Sequence, residues 1–283
     1  MKNRLLLMAA ALLFSTGGAA VKAVSLSGWQ VASFRSGVAA LVLLLAVPGV
    51  RKQFRWGMLP VAAAYAATLI LFVLANRLTT SANAIFLQST APLYLLLLGP
   101  LVLKEPIRRA DLVYMLAVGV GLALFFMGRD AAGATAPDPP RGNLLALGSG
   151  VTYALMLAGL RWQGRHGHAD SGIATTIAGN VLAFGAALPM ALPVPHFAAA
   201  DVGVIVYLGA AQIGLAYWCL TRAIRHVPAF EATTMLQLEP AMNPVWSWMV
   251  HGERPTAWAL AGGAVIVCAT VVNTWWGRRG NTV

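Results

Sequence analysis

Hydrophobic positions in this chain come in long, almost unbroken runs separated by short polar gaps. A bilayer is crossed by about 20 consecutive apolar residues. Read that way, the runs predict ten helices, over roughly 5–24, 29–47, 57–76, 80–103, 110–128, 143–162, 172–192, 201–221, 228–250 and 256–276. A barrel strand needs only ~10 residues and alternates between two faces, so these continuous runs are expected to be helices. The fold class expected is an all-α integral membrane protein. The first run also fits a cleavable leader: Lys2 and Arg4 precede apolar Leu5–Phe14 and a small-residue segment, Ser15 to Ala20. Apolar character resumes after the glycines, and cleavage would leave nine spans, so the ten-span reading is preferred.

One stretch occurs twice. Gln88-Ser89-Thr90-Ala91-Pro92 leads to Lys104-Glu105-Pro106, and Gln237-Leu238-Glu239-Pro240 leads to Gly252-Glu253-Arg254-Pro255. Proline and glutamate stand 13 residues apart in both copies, and a shift of 148 residues aligns Ala75/Ala223, Arg77/Arg225, Ala84/Ala232, Pro92/Pro240, Val102/Val250, Glu105/Glu253 and Leu112/Leu260. With the matching hydrophobic rhythm, this predicts a repeat of five spans, residues 1–128 and 143–279, joined by an external linker at 129–142.

Charge sets the orientation. With the N-terminus inside, inner segments carry Lys2, Arg4, Arg51, Lys52, Arg55, Lys104, Arg108, Arg109, Arg161, Arg165, Arg222, Arg225, Arg278 and Arg279, 14 positives against five outside (Lys22, Arg77, Arg129, Arg141 and Arg254). Positive residues are retained in the cytoplasm, so both termini are expected inside. An odd number of spans per repeat then makes the two halves inverted, an architecture that places a midplane site between them and exposes it alternately to each side.

Composition narrows the function. The chain has 283 residues, 59% hydrophobic and 10% charged, with mean hydropathy +0.72. A soluble domain carries about 25% charge. The net charge of +11 is spread over the short gaps, where it orients spans and forms no nucleic-acid patch. Cys219 and Cys268 both fall in apolar runs, which offers neither a disulfide framework nor a metal site. His166-Gly167-His168-Ala169-Asp170 is read as a solvated loop. No cofactor is expected, and the partners expected are a small-molecule substrate and membrane lipid.

The mid-helix prolines, the apolar runs after them and the terminal Lys104-Glu105 and Gly252-Glu253 resemble the drug/metabolite transporter superfamily, with Phe34-Arg35 as a third element. Over nearly the whole chain the pattern is similar to the EamA-type exporters, and within them to the YddG-type aromatic amino-acid exporters. Lys104-Glu105 departs from the usual Gly-Glu. The resemblance implies a multi-pass protein of a bacterial inner membrane that exports small metabolites and is not an enzyme.

Candidate substrate-cavity residues follow from depth in the spans. Polar groups at mid-membrane face a bundle interior or water. They are Ser15 and Thr16 in the first span, Tyr65 in the third, Gln88 in the fourth, Tyr153 in the sixth, Gln212 in the eighth, and Gln237 and Glu239 in the ninth. Pro92 and Pro240 join them because a proline leaves the carbonyl four residues back without its donor. For each Ser and Thr, a bond to its own helix backbone competes with a ligand role. Glu239 is the sharpest, since a mid-membrane carboxylate costs about 2.5–3.5 kcal/mol. It suits a substrate ammonium, a coupling proton or a structural hydrogen bond. Arg35, in the outer third of the second span, either snorkels or meets a substrate carboxylate.

Two function classes remain. The first is a secondary or facilitative transporter of aromatic or other apolar amino acids. No GxxxxGK[ST] motif is present to couple ATP directly. A phosphosugar, nucleotide-sugar or drug carrier is the alternative substrate class, and polyanions would call for paired cations that the spans lack. The second class is a membrane-embedded enzyme, which should cluster His, Asp or Cys at one membrane face.

Overall fold

The computed structural model describes residues 2–47, 49–98, 109–127, 132–165, 172–195, 198–223, 235–236 and 238–279. Among them the chain is helical, and its one extended feature is an isolated bridge between Gly133 and Ala136. Six helical stretches are long and apolar enough to cross a membrane: Lys2–Lys22, Gly28–Ala46, Trp56–Leu78, Pro139–Leu160, Gly172–Ala191 and Ala199–Leu220. Leu112–Leu124 and Ala257–Val272 are shorter apolar helices. The expected fourth span runs into residues outside the described set, as does the start of the ninth. Lys104-Glu105, the 166–170 loop and Gln237 also lie outside it.

Three of the expected spans are not continuous α-helices. The first divides into α1 (Lys2–Ser15) and α2 (Gly17–Lys22) at Thr16. Second and third are intact as α3 (Gly28–Ala46) and α4 (Leu59–Leu78). Ser27 starts α3 with a reciprocal cap, accepting from Gln30 N while Gln30 Oε1 accepts from Ser27 N. The fourth span divides into α5 (Ser81–Gln88) and α6 (Ala91–Leu98). Pro92 therefore sits in the first turn of α6, where its missing N–H is tolerated. The break is packed by α8 (Pro139–Arg165). A Cβ on Gly150 of α8 would lie 3.2 and 3.3 Å from the carbonyl oxygens of Leu87 and Gln88, so only glycine lets the helix come this close.

Beyond α7 (Arg109–Met127), α8 and α9 (Gly172–Ala191), the eighth span starts as α10 (Ala199–Val206), widens to a π-helical stretch over Tyr207–Leu215, and resumes as α11 (Ala216–Ala223). Last come α12 (Leu238–His251) and α13 (Ala257–Arg279). Pro240 was expected in mid-helix. It stands in the first turn of α12, and the proline inside the helix is Pro244, which cannot donate to the Pro240 carbonyl. The sixth span was expected from residue 143, and α8 opens earlier, at Pro139.

Helix pairing has a plain pattern. α4 packs on α8 and α9, α3 on α9 and the π stretch, α1 on α11 and α12, and α7 on α13. One apolar cluster joins Phe72, Phe86, Tyr114 and Ile266, and another joins Val21, Leu26, Val73 and Leu208. Lipid-facing Leu, Val and Met side chains such as Leu45, Leu116 and Met249 stay exposed, as expected where the solvent is hydrocarbon.

A polar knot closes one end of the bundle. Gly252, with φ 67°, ends α12 in the left-handed conformation. This turns Glu253 back over the last turn, where its N–H reaches Ser247 O at 3.4 Å. The Glu253 carboxylate is buried and pairs with Lys22 at the end of α2. Its second oxygen accepts from Ser81 N at 2.9 Å, capping α5. Lys22 also donates to the carbonyls of Thr79 (2.7 Å) and Thr135 (2.5 Å). Four segments distant in sequence thus meet on one ion pair.

Candidate functional site

The helix interruptions surround a small central cavity of ≈ 100 Å³. Its walls come from both halves of the chain. Arg35 from α3, Gln88 at the end of α5, Tyr153 from α8, Gln212 from the π stretch, and Glu239 with Pro240 at the start of α12 all line it. Phe14, Phe72 and Tyr217 supply aromatic surface. Two larger cavities, ≈ 340 and ≈ 330 Å³, lie elsewhere. The first is lined by Leu44, Phe54, Ile177 and similar groups with Arg51 at its edge, and the second by Ala19, Ala20, Val204 and Val250 with Thr16 and Tyr207. Both are lipid-type surfaces. Only the small one gathers charged groups and amides, and chemistry decides the choice over volume.

Arg35 is 1% exposed and does not snorkel. One terminal nitrogen donates to Leu69 O at 3.1 Å, while Nε has no partner among the described residues. Tyr65 and Tyr217 stand within electrostatic reach of the guanidinium. Glu239, from the second half of the chain, is half-buried near Tyr153 and Tyr217. Neither charged group forms a salt bridge among the described residues. One cationic and one anionic group thus face a shared cavity without cancelling each other.

The neutral groups are better tied. Gln88 Nε2 donates to Ser149 Oγ (2.6 Å), which donates to Thr68 O (3.2 Å), and Thr68 Oγ1 bonds Thr152 Oγ1 (2.9 Å). These bonds hold α5, α8 and α4 together beside the cavity. Gln212 Nε2 reaches Phe14 O at 3.4 Å, and its Oε1 is buried without a partner among the described residues. Gln212 and Tyr217 are five residues apart, about 140° on a regular helix. The wider π turn between them lets both face the cavity.

Other expected site residues lie around this centre. Tyr65 is buried behind the cavity, its ring edge-on to Tyr217 at 5.4 Å and its hydroxyl receiving Asn180 Nδ2 at 3.2 Å. Phe14 packs edge-on against the other side of Tyr217 at 5.0 Å. Ser15 and Thr16 do not line the cavity. Their hydroxyls bond Leu12 O and Leu13 O of their own helix. Ser15 Oγ also receives Trp246 Nε1 at 2.9 Å, and Thr16 meets the Tyr207 hydroxyl at 2.7 Å. Pro92 is on the α6 side of the break. Phe14 and Phe72 were missed because depth ranks polar residues only, and Tyr217 because it lies near the end of the expected eighth span, 201–221. Among the described residues, no group of His, Cys, Asp and Glu is placed to hold a metal.

The model of the EamA-like transporter family matches residues 1–127 and 140–275. A curated relative, the "Uncharacterized transporter YdfC" of Bacillus subtilis (strain 168), is 41% identical over 63 residues, covering 22% of this chain and 21% of that protein. A solved protein structure aligns over 98% of both chains, with a TM-score of 0.64 at 19% identity, a likeness of fold.

Proposed function

Since the chain belongs to the EamA-like transporter family and is therefore a multi-pass membrane transporter of small molecules, we propose that it exports amino acids with aromatic or other apolar side chains across a bacterial inner membrane. Transport is secondary or facilitative and runs by alternating access between two inverted five-helix repeats, with both termini inside. One observation carries the substrate reading: Arg35 and Glu239 line one cavity, each without an ion-pair partner among the described residues, between aromatic walls. A guanidinium suits a carboxylate, a carboxylate suits an ammonium, and the rings suit an apolar side chain. A zwitterion satisfies both charges at once. A phosphosugar or nucleotide sugar would bring extra negative charge to a cavity that already holds Glu239. The cross-pairing of α4 with α8 and of α1 with α11 supports the two-repeat reading, because each half's first span then packs against the other half's third.

At ≈ 100 Å³ the cavity is smaller than the ~300 Å³ at which ligand sites begin, so this is a contracted state that must open to admit substrate. The test is uptake by proteoliposomes of labelled Phe, Trp, Leu, organic cations and phosphorylated sugars, with and without a pH gradient. Saturable flux of an apolar amino acid without ATP is expected. Flux confined to phosphorylated sugars overturns the substrate reading.

A further inference from the structure

Above Glu239, α12 carries a buried polar face that the cavity does not use. Glu239, Asn243 and Ser247 recur at four-residue intervals and so lie on one side of the helix. Asn243 and Ser247 are fully buried. Neither polar atom of the Asn243 amide, nor Ser247 Oγ, has a hydrogen-bond partner among the described residues. Buried polar groups are normally satisfied. A row of three unsatisfied atoms leading from the cavity to the Lys22–Glu253 knot requires an explanation beyond packing.

This face is covered by α2 together with the start of α5. A Cβ on Gly18 would lie 2.6 Å from Asn243 Oδ1 and 3.0 Å from Ser81 Oγ, so the glycine backbone is pressed directly onto the polar row. Ser81 Oγ is itself buried without a partner among the described residues. A Cβ on Gly17 would lie 2.8 Å from Gln212 Nε2, on the cavity side. α2 has six residues and is separated from α1 at Thr16. It is held by Ala19 O to His251 Nε2 at 2.8 Å, Thr16 to Tyr207, Arg77 Nη1 to Val21 O at 3.3 Å, and, at its far end, Lys22 on Glu253 and on the carbonyls of Thr79 and Thr135. An isolated segment this short has little stability of its own.

We infer that α2 is a gate, that the Asn243–Ser247 face of α12 is the external half of the translocation path beneath it, and that the Lys22–Glu253 pair is the latch. This rests on the transporter reading above and names the route by which the solute leaves Glu239 for the outside. Lifting α2 gives Asn243, Ser247 and Ser81 the water or solute partners that they lack in the closed state. It also opens the cavity at Gln212, because Gly17 is on the same segment. The latch joins α2 to α12, α5 and the 132–138 segment, so releasing it frees both halves of the chain to separate at that end.

The experiment uses full-length protein in right-side-out membrane vesicles, with Cys219→Ser and Cys268→Ser as background and Asn243→Cys as reporter. A membrane-impermeant maleimide is applied from outside. With the latch intact, labelling of the reporter is expected at least tenfold slower than labelling of a Thr135→Cys control. In the neutral latch variant Lys22→Met/Glu253→Gln, labelling should rise at least tenfold. A second reporter, Ser247→Cys, should respond in the same way, and melting temperature in detergent confirms that the variants are folded. Rapid labelling with the latch intact, or rates unchanged in the folded neutral variant, overturns the gate. The readout needs no substrate. Failure to move amino acids would therefore count against the substrate reading alone, and failure of the labelling pattern against the gate alone.

Discussion

Removing either charge of the Lys22–Glu253 pair alone should destabilise the protein more than removing both, so that the double variant recovers part of the loss. The geometry sets the size. Lys22→Met leaves the Glu253 carboxylate buried with Ser81 N–H as its remaining donor. Glu253→Gln leaves a buried ammonium with the Thr79 and Thr135 carbonyls. A buried charge stripped of its partner costs about 3–5 kcal/mol. In Lys22→Met/Glu253→Gln no charge remains, and the glutamine oxygen can still accept from Ser81 N. The residual loss is two hydrogen bonds to carbonyls, about 1 kcal/mol each. Independent sites would give roughly 6–10 kcal/mol for the double variant, and a coupled pair about 2–3. At ~2 °C per kcal/mol for a chain of this size, the melting temperature should fall by about 6–10 °C in each single variant and about 4–6 °C in the double. The assay is thermal unfolding in detergent followed by intrinsic tryptophan fluorescence. A double variant that loses as much as the two singles together would show that the two charges do not act as a unit, and the knot would be a chance proximity.

Three further outcomes are expected. Glu239→Gln should weaken apparent affinity for a zwitterionic substrate about tenfold or more, the worth of a charge-assisted bond of ~1.5–3 kcal/mol; unchanged transport kinetics in the folded variant would reduce Glu239 to a structural group. Gly150→Val should cost about 1–3 kcal/mol in thermal stability, since its Cβ meets two carbonyl oxygens at 3.2–3.3 Å; a wild-type melting curve would mean that α8 shifts freely away from the α5–α6 break. In a background without native cysteines, Thr135→Cys should label from outside and Lys52→Cys only after permeabilisation, and labelling of both from one side would refute the orientation and the inverted repeat.

Length and hydrophobicity made the helical, membrane-spanning class legible, because runs of about 20 apolar residues admit few other structures. Where helices stop inside those runs was not legible. Thr16-Gly17-Gly18 reads equally well as the small-residue end of a leader or as a helix interior, and the break appears only once α12 presses on Gly18. Pro92 announced a disturbance four residues back, at Gln88, but not its form, since α5 ends there and the chain puts the proline just after the break, in a first turn, instead of kinking around it. The π stretch at Tyr207–Leu215 has no proline and no composition to mark it. Gly252-Glu253 was visible as a motif. Its physical content, a left-handed turn that buries a carboxylate on Lys22, depends on a partner 231 residues away.

The interruptions have a common consequence. Each lies beside the cavity: Thr16 follows Phe14, Ser89 lines the wall, and the π stretch contains Gln212. In hydrocarbon a helix break is expensive, because every freed carbonyl or amide needs a partner, so breaks persist where protein or water supplies one. Here the Gln212 amide supplies one such partner, to the Phe14 carbonyl, and α8 packs its Gly150 against the carbonyls at the α5–α6 break. The same breaks divide long rigid spans into short pieces that can turn separately. α2 is the shortest of these pieces, lies between the cavity amide and the buried polar face of α12, and is tethered at its far end through Lys22, on Glu253 and the carbonyls of Thr79 and Thr135. A single feature, the interruption of spans at cavity depth, thus brings Gln88, Ser89 and Gln212 to the cavity wall and supplies the joint on which the proposed gate depends.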